Sequence, residues 1–475
     1  MSTQTAPVID KDAKLSFLTK VAYGCGDIAS QFVWTFVGGY LTVFFTDVVG
    51  LAPAVVAAIL LGARIWDGVN DPMFGAIAER TKTKYGRFRP YIIYLAPACA
   101  LFNVLTFTNP GFGGNETMRV VYATITYVVL GMLYTAVNLS YASLGGAMTY
   151  DPVERTELVS YRIIGTNVGS VVINLITMPL ILYFSGAGDG KTVNATGYTL
   201  TTIVYCVLSL PLFYFMVAKC KEVVVPINKK KIPIRTSLKV VLTNPPLIVA
   251  FFGSLFMMTA FFGRIGVVVY YYRYVLERMD LVGILMMLPS LFGPVTLIAF
   301  MKVVDKVGKK WMCMISFLCC AACLIAIYCI DPKENLTLLL ILTALFGMSN
   351  FGNPIKWSMV PEAVDYAEDK TGVRADGISY AVLSLSTKFG SAFGASIGLL
   401  IMGAMGYEAN KDQSVEALQG INIAANLLPA GLFIIAAIIT VFYPLNTPKV
   451  LAIRDSLAAK AALAEAAAAT ATEEK

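Results

Sequence analysis

Histidine is absent from this sequence, and charged residues are scarce. None of the 475 residues is histidine, and only 14% are Asp, Glu, Lys or Arg. The first absence excludes His-ligated metal sites, histidine general bases and histidine proton relays. Soluble globular proteins carry about 25% charged residues, whereas 57% of this chain is hydrophobic and its mean hydropathy is +0.70. Most of the chain is therefore expected to lie in lipid rather than in water.

A cysteine framework is also missing. Nine cysteines are present, and three of them fall in one apolar run, LCCAAC, in which Cys320 and Cys323 form a C-x-x-C. No redox fold surrounds this pair, so we interpret it as helix packing. Nothing in the spacing indicates disulfides.

Apolar segments long enough to cross a bilayer recur along the chain. A spanning helix needs about 20 predominantly apolar residues. The candidate segments lie at 22–49, 53–78, 91–110, 117–148, 158–185, 198–218, 242–275, 281–303, 310–331, 336–361, 376–405 and 418–443. The sequence therefore predicts an all-α membrane protein with twelve transmembrane helices.

Basic loops set the predicted orientation. Lysine and arginine cluster at 79–90, 219–240 and 302–310, which all follow even-numbered helices, while the alternate loops hold few basic residues. Basic loops stay in the cytoplasm, and no basic stretch leads into a cleavable signal. Both termini are therefore predicted to be cytoplasmic. These loops account for the net charge of +7, so no nucleic-acid partner is expected.

The basic middle segment divides the chain into two halves of six helices each. The 2–3 loop, GAIAERTKTKYGRFRP, has a counterpart, VVDKVGKKW, at the matching position of the second half. Parallel six-helix repeats with the substrate site between them are a known transporter plan. The predicted segments are a cytoplasmic N-terminus at 1–20, a first bundle at 21–218, a linker at 219–240, a second bundle at 241–445 and a cytoplasmic Ala-rich helical tail at 446–475.

A small set of ionisable residues falls inside the predicted spanning helices. Such residues are costly in a bilayer unless they are paired or hydrated, and they usually mark a transport pathway. They are Asp27, Arg64, Asp67, Asp71, Arg162, Arg264, Lys356 and Lys388.

Two of these residues, Asp67 and Asp71, are four positions apart on the second helix and point the same way, with Arg64 on the same face. Two ionised carboxylates one turn apart repel each other where water is scarce. A Na⁺ ion or a proton on one carboxylate relieves that repulsion, which predicts a coupling-ion site. The alternative is that an Arg64–Asp67 pair only holds the bundle together.

The remaining cations lie on helices without acids of their own. If Arg64 and Asp27 offset each other, Asp67 and Asp71 leave an excess of two positive charges. Arginine and lysine bind carboxylate, sulfonate or phosphate by charge-assisted hydrogen bonds, so an anionic substrate is one use of this excess. Substrate contact is expected for Arg162, Arg264, Lys388 and Lys356, the last together with the adjacent Trp357. Arg162 could equally bind neutral sugar hydroxyls. In the empty state, Lys388 would pair with the acids of the second helix.

Several stretches resemble one family. ARIWDGVNDP, KYGRFRP, LYTAVNLSYASLGGAMT, PEAVDYAEDKTGVRADGISYA and KFGSAFG are similar to the glycoside–pentoside–hexuronide:cation symporters, over residues 15 to 445. The resemblance implies a major facilitator fold of two pseudo-symmetric bundles and sugar uptake driven by Na⁺, Li⁺ or H⁺. It implies a cation site at Asp67, Asp71, Thr135 and Asn138, and sugar contacts at Asp27, Gln31, Tyr134, Asn138, Arg162 and Lys388.

Three positions depart from the family's melibiose permease. That protein has acids where this chain has Gln31 and Asn138, and a tryptophan where it has Ala142, so an α-galactoside specificity is not expected. Asn138 is similar to the glucuronide and xyloside branches, and TGVR followed by an acid and Gly to the glucuronide branch. The lost carboxylate favours H⁺ over Na⁺ as the coupling ion.

These observations predict a cation-coupled symporter, driven by H⁺ or by Na⁺ at Asp67 and Asp71, that imports an anionic sugar such as a uronide or a sulfonated sugar. The alternative is a neutral pentoside or disaccharide glycoside, with Lys356 paired internally. A membrane enzyme would need a nucleophile–base or metal constellation, which is not found, and a channel would not need the ion site. No cofactor beyond the coupling ion is expected, and we expect a monomer in the lipid bilayer. The expected gating residues are Arg64, Arg87, Arg89, Asp305, Lys309, Glu362 and Asp365.

Overall fold

The computed structural model describes residues 14–81, 83–149, 151–186, 193–223, 243–374 and 376–473, and helices make up most of this part of the chain. The predicted N-terminus at 1–20 and the predicted linker at 219–240 fall largely outside the described residues, and so does the side chain of Asp305.

Six long helices form the first half of the chain. Side-chain caps begin four of them, because Ser16, Asn115, Asp151 and Asn194 accept hydrogen bonds from backbone N–H groups in the first turn. The helices are α1 (Phe17–Val43), α2 (Pro53–Arg80), α3 (Arg89–Thr106), α4 (Glu116–Ala147), α5 (Pro152–Ser185) and α6 (Ala195–Lys219).

The second half is more interrupted. Its helices are α7 (Pro245–Tyr270), α8 (Val282–Val307), α9 (Lys309–Cys329), α10 (Leu336–Ser349), α11 (Gly352–Ser358), α12 (Val360–Thr371), α13 (Asp376–Ala404), α14 (Val415–Asn422), α15 (Leu428–Val441) and α16 (Thr447–Glu473). Short π-helical turns, which often occur at functional sites, lie after α1 (Phe44–Val48), after α7 (Tyr271–Val275) and before α15 (Ile423–Leu427).

Prolines explain why the single apolar segment predicted at 336–361 forms three helices. Proline has no backbone N–H and cannot donate to the carbonyl four residues earlier. Pro354 therefore leaves the carbonyl of Asn350 without its helical donor, close to the end of α10. Pro361 lies in the first turn of α12, just after the break at Met359.

The described residues form eleven helical spans that are long and apolar enough to cross a membrane. The helix α3 is not among the eleven, although its residues match the predicted segment 91–110. The spans otherwise correspond to the predicted segments, with α10 to α12 counted as one span.

The described residues fall into two compact units. The first is drawn from Met1–Asn228, Gly266–Ser290 and Met402–Leu418, and the second from Lys229–Ile265, Leu291–Ile401 and Gln419–Lys475. The predicted division at 21–218 and 241–445 stays a prediction. In the second unit the tail helix α16 packs on α12, where Lys460 and Ser456 each lie 2.7 Å from Asp369.

Candidate functional site

Glycines allow α1 and α5 to pack closely in the first unit. A Cβ atom on Gly165 would lie 2.3 Å from the carbonyl oxygen of Gly24, and one on Gly24 would lie 2.9 Å from that of Tyr161. Both distances are too short for any side chain, so glycine is required at the crossing. This close approach brings polar side chains of α1 and α5 within bonding distance.

Asp27 and Arg162 form an ion pair across this crossing. The Asp27 side chain is 5% exposed, and its carboxylate lies 3.3 Å from Nε of Arg162 and accepts a hydrogen bond from Thr166. The Arg162 guanidinium also lies 5.3 Å above the ring of Tyr141. The arginine is a third exposed, so it can bind a sugar hydroxyl while it remains next to its acid.

Gln31 lies one helical turn beyond Asp27 on α1. Its side-chain oxygen accepts from the hydroxyl of Thr35 at 2.8 Å and lies 3.4 Å from that of Ser170 on α5. The structure therefore brings Asp27, Gln31 and Arg162 to one face of the α1–α5 contact.

A second group surrounds Asp67. The Arg64 Nη1 atom lies 3.0 Å from the Asp67 carboxylate, and the guanidinium stands 4.6 Å above the ring of Trp34. Trp34 is also stacked on Tyr134, with 5.1 Å between the ring centroids and 14° between the ring planes. These residues line a cavity of about 20 Å³, enough room for one water molecule.

The relative register of α2 and α4 places the other expected cation ligands. A Cβ atom on Gly131 would lie 3.3 Å from Oδ1 of Asp67, and one on Gly75 would lie 3.6 Å from Leu139. The two contacts pair residues at the same sequence offset, so α2 and α4 run parallel in one register. In this register Asp71, between Asp67 and Gly75, is level with Thr135, between Gly131 and Leu139. Asn138, one turn further along α4, has a buried side-chain oxygen without a hydrogen-bond donor among the described residues. The four residues therefore lie along one α2–α4 contact.

Lys356 is held inside the second unit. It is 1% exposed, and its ammonium group lies 3.2 Å from the hydroxyl of Thr440 and 5.7 Å above the ring of Phe317. The adjacent Trp357 packs against an apolar cluster that includes Val360. Among the described residues, no carboxylate forms a salt bridge with Lys356.

Arg264 is held in a similar way. It is 4% exposed, donates to the carbonyl oxygen of Ala425 at 2.9 Å and to the side-chain oxygen of Asn426, and lies 5.1 Å above the ring of Phe346. Ala425 and Asn426 belong to the π-helical turn before α15. Lys388 is half-buried on α13. Its expected exchange between substrate and acids stays a prediction, as do substrate contacts of Arg264 and Lys356.

Arg87 and Arg89 contact a carboxylate that sequence reasoning missed. Glu222 follows α6, and its side chain accepts hydrogen bonds from the backbone N–H groups of Arg87, Phe88 and Arg89, at 2.8 to 3.2 Å. A carboxylate is favoured there because the first N–H groups of a helix have no intrahelical acceptor. One acid in an otherwise basic segment, KCKE, was the only signal for this contact.

The other expected gating residues form ion pairs in the second unit. The ammonium of Lys309 lies 2.6 Å from Glu362, and Arg374 lies 3.0 Å from Asp365. Burial and the neighbouring Glu362 raise the pKa of Tyr443 well above its usual range, so its hydroxyl remains a donor. Gating roles for these residues stay predictions.

A further buried carboxylate, Asp47, was also missed. It is fully buried at the end of α1 and lies 2.6 Å from Nη1 of Arg273 and 2.8 Å from the hydroxyl of Tyr274. It also accepts from Thr46 and Tyr407. Burial and this carboxylate raise the pKa of Tyr407 well above its usual range. The available signals were the single acid within the run FFTDVV and the single arginine in YYYRYV.

Known proteins match almost the whole chain. A family model described as MFS/sugar transport protein matches residues 22–447. The isoprimeverose transporter of Lactiplantibacillus pentosus is 31% identical over 95% of this chain and 94% of its own length. The glucuronide carrier protein homolog of Escherichia coli (strain K12) is 30% identical over 92% of this chain and 94% of its own length.

A solved structure supports the fold. The crystal structure of a D-xylose-proton symporter superimposes with a TM-score of 0.64 at 12% identity, covering 89% of this chain and 97% of its own. At this identity the likeness shows the fold alone, and the predicted major facilitator fold is confirmed.

Proposed function

The chain belongs to the MFS/sugar transport family, among the glycoside–pentoside–hexuronide:cation symporters, and from this premise we propose that it imports a sugar or glycoside together with H⁺ or Na⁺. Members of this family are carriers rather than enzymes. We further propose that both termini lie in the cytoplasm of a bacterium, that the protein acts as a monomer in the inner membrane, and that it has no cofactor beyond the coupling ion.

The observation that carries this proposal is the pair of carboxylates on α2. Asp67 is 7% exposed and borders a small cavity. Asp71 lies one turn further along α2, level with Thr135 of α4. Two carboxylates at this depth favour a bound cation or proton. The coupling ion therefore binds at Asp67 and Asp71, with Thr135 and Asn138 as neutral ligands.

The sugar binds beside the ion. Asp27, Gln31 and Arg162 offer acceptors and donors for hydroxyl groups, and Tyr134 offers an aromatic face for the C–H face of a pyranose. Ion and sugar then each raise the affinity for the other, because binding free energies are coupled reciprocally. In alternating access, this coupling disfavours the change between the outward-facing and inward-facing states when only one of the two ligands is bound.

A neutral glycoside fits the second unit better than an anionic one. The anionic prediction depends on Arg264 and Lys356, yet both are more than nine-tenths buried and contact neutral oxygens and aromatic rings of the protein. An acidic sugar would have to reach these buried groups, although the Nη2 atom of Arg264 has no hydrogen-bond acceptor among the described residues. The anionic substrate remains the second candidate, because neither cation has a carboxylate partner among the described residues.

Uptake into membrane vesicles tests the proposal. Methyl β-glucoside and methyl β-glucuronide differ only at C6, which is a neutral hydroxymethyl group in the first and a carboxylate in the second, so they form a matched pair. Each is offered with an imposed H⁺ gradient, with an imposed Na⁺ gradient, and with an ionophore that dissipates the gradient. We expect the glucoside to accumulate, and we expect the ionophore that dissipates the gradient of the coupling ion to abolish this accumulation. Accumulation of the glucuronide alone would select the anionic candidate, and uptake insensitive to both gradients would contradict symport.

A further inference from the structure

Trp34 lies between the expected sugar site and the expected ion site. One face of its ring is stacked on Tyr134, and the guanidinium of Arg64 stands over the ring at 4.6 Å. Arg64 in turn is bonded to Asp67 at 3.0 Å. Three helices contribute to this series of contacts: Trp34 from α1, Arg64 and Asp67 from α2, and Tyr134 from α4.

We propose that Trp34 is a positioning residue that transmits sugar binding to the coupling ion. The proposal rests on the proposed function, since it assigns a role within the same site. Trp34 itself touches neither the ion nor the proton. It acts by setting how firmly Arg64 holds the Asp67 carboxylate.

The physical basis is competition for Asp67. Arg64 and a coupling cation, or proton, both favour the same carboxylate, so whatever weakens the Arg64–Asp67 bond raises the affinity for the ion. The indole face attracts a guanidinium through its quadrupole, which gives Arg64 a second favourable contact besides the acid. A shift of the ring therefore changes the balance between the two contacts.

Tyr134 supplies the connection to the sugar. Stacked rings prefer particular offsets, so a sugar that packs on Tyr134 and moves it will also move Trp34. The cavity of about 20 Å³ lined by Trp34, Arg64, Asp67 and Tyr134 leaves room for such a shift, whereas a filled core would not.

The matched control is Trp66 on α2, which is 42% exposed and takes no part in these contacts. The experiment measures sugar dissociation constants for the purified full chain by isothermal titration. The probe is the member of the pair methyl β-glucoside and methyl β-glucuronide that wild type transports faster. Each constant is measured with and without the ion that drives uptake, and their ratio is the coupling factor.

We expect a wild-type coupling factor of about 5 to 150, the usual range for coupled sites. Trp34→Leu should bring it to within about twofold of 1, Trp34→Phe should keep most of it because a ring remains, and Trp66→Leu should leave it unchanged. A role in packing alone would weaken binding with and without the ion equally.

Two results overturn the proposal in distinguishable ways. A wild-type factor above 5 that persists in Trp34→Leu would remove Trp34 from the coupling. A factor of 1 in wild type would contradict the proposed symport itself. If Trp34→Leu does not fold, Trp34→Phe is compared with Trp66→Leu instead. A coupling factor that falls by about half in Trp34→Phe and is unchanged in Trp66→Leu would still support the role of Trp34.

Discussion

The two units treat their buried cations differently. In the first unit Arg64, Arg162 and Arg273 each face a carboxylate, at 2.6 to 3.3 Å. In the second unit Arg264 and Lys356 face carbonyl, amide or hydroxyl oxygens and aromatic rings. A carboxylate beside an arginine can exchange that partner for an ion or a proton, whereas a cation held by neutral groups brings no carboxylate that could bind a coupling ion. The difference supports the proposal that the coupling ion binds in the first unit.

The largest effect is expected from removing the acid of the most densely bonded pair. Asp47→Ala leaves Arg273 buried without its carboxylate and removes the acceptor for Tyr274 and Tyr407, so it should destabilise the protein by about 3–5 kcal/mol. Thermal unfolding in detergent measures this loss. The control is Asp280→Asn, since the Arg278–Asp280 pair is half exposed and should contribute less than about 1 kcal/mol. Equal losses in both variants would contradict the assignment.

The next effect concerns the sugar side of the first unit. Asp27→Asn keeps the size of the side chain but removes the charge that holds Arg162. This change should cost about 1.5–3 kcal/mol, or roughly 10- to 150-fold in apparent sugar affinity. Sugar uptake at several concentrations measures it. Asn167→Ala, on the same helix α5, is the control, because the one hydrogen bond of its amide among the described residues goes to the carbonyl of Ile163 on its own helix. Unchanged affinity in Asp27→Asn would separate this pair from sugar binding.

The smallest effect is expected in the second unit. Lys356→Met replaces a buried ammonium by an apolar side chain of similar length, a change that is often neutral or stabilising. We expect a thermal unfolding midpoint no lower than that of wild type and methyl β-glucoside uptake within about twofold of wild type. Loss of glucuronide uptake alone would restore Lys356 as a ligand for an acidic sugar and would weaken the contrast between the units.

The sequence predicts the parts of this arrangement that depend on one helix. Apolar runs locate the spans, and the i, i+3 spacing of Arg64 and Asp67 predicts their contact. The motifs that carry the family resemblance cover nearly the whole chain, which is why the fold was predictable. The division of segment 336–361 at Pro354 and Pro361 was missed, because hydropathy does not register a missing N–H group.

Contacts between distant segments could not be predicted. The Asp27–Arg162 pair needs the glycine crossing of α1 and α5, and Asp47 lies 226 residues from Arg273 along the chain. Glu222 meets the start of α3 only because α6 ends beside it. In each case the partner is fixed by packing, and the residue types alone leave several pairings open. The same reason explains why Lys356, predicted to meet the substrate, contacts Thr440.

The central claim, that Asp67 carries the coupling ion, is tested most directly by ion flux driven by sugar. Vesicles without any imposed gradient receive the transported sugar, and a pH electrode or a Na⁺ electrode records ion entry. Wild type should show ion entry that follows sugar entry, and Asp67→Asn should bind and exchange sugar with no ion entry above that of protein-free vesicles. Ion entry of wild-type size in Asp67→Asn would contradict the account.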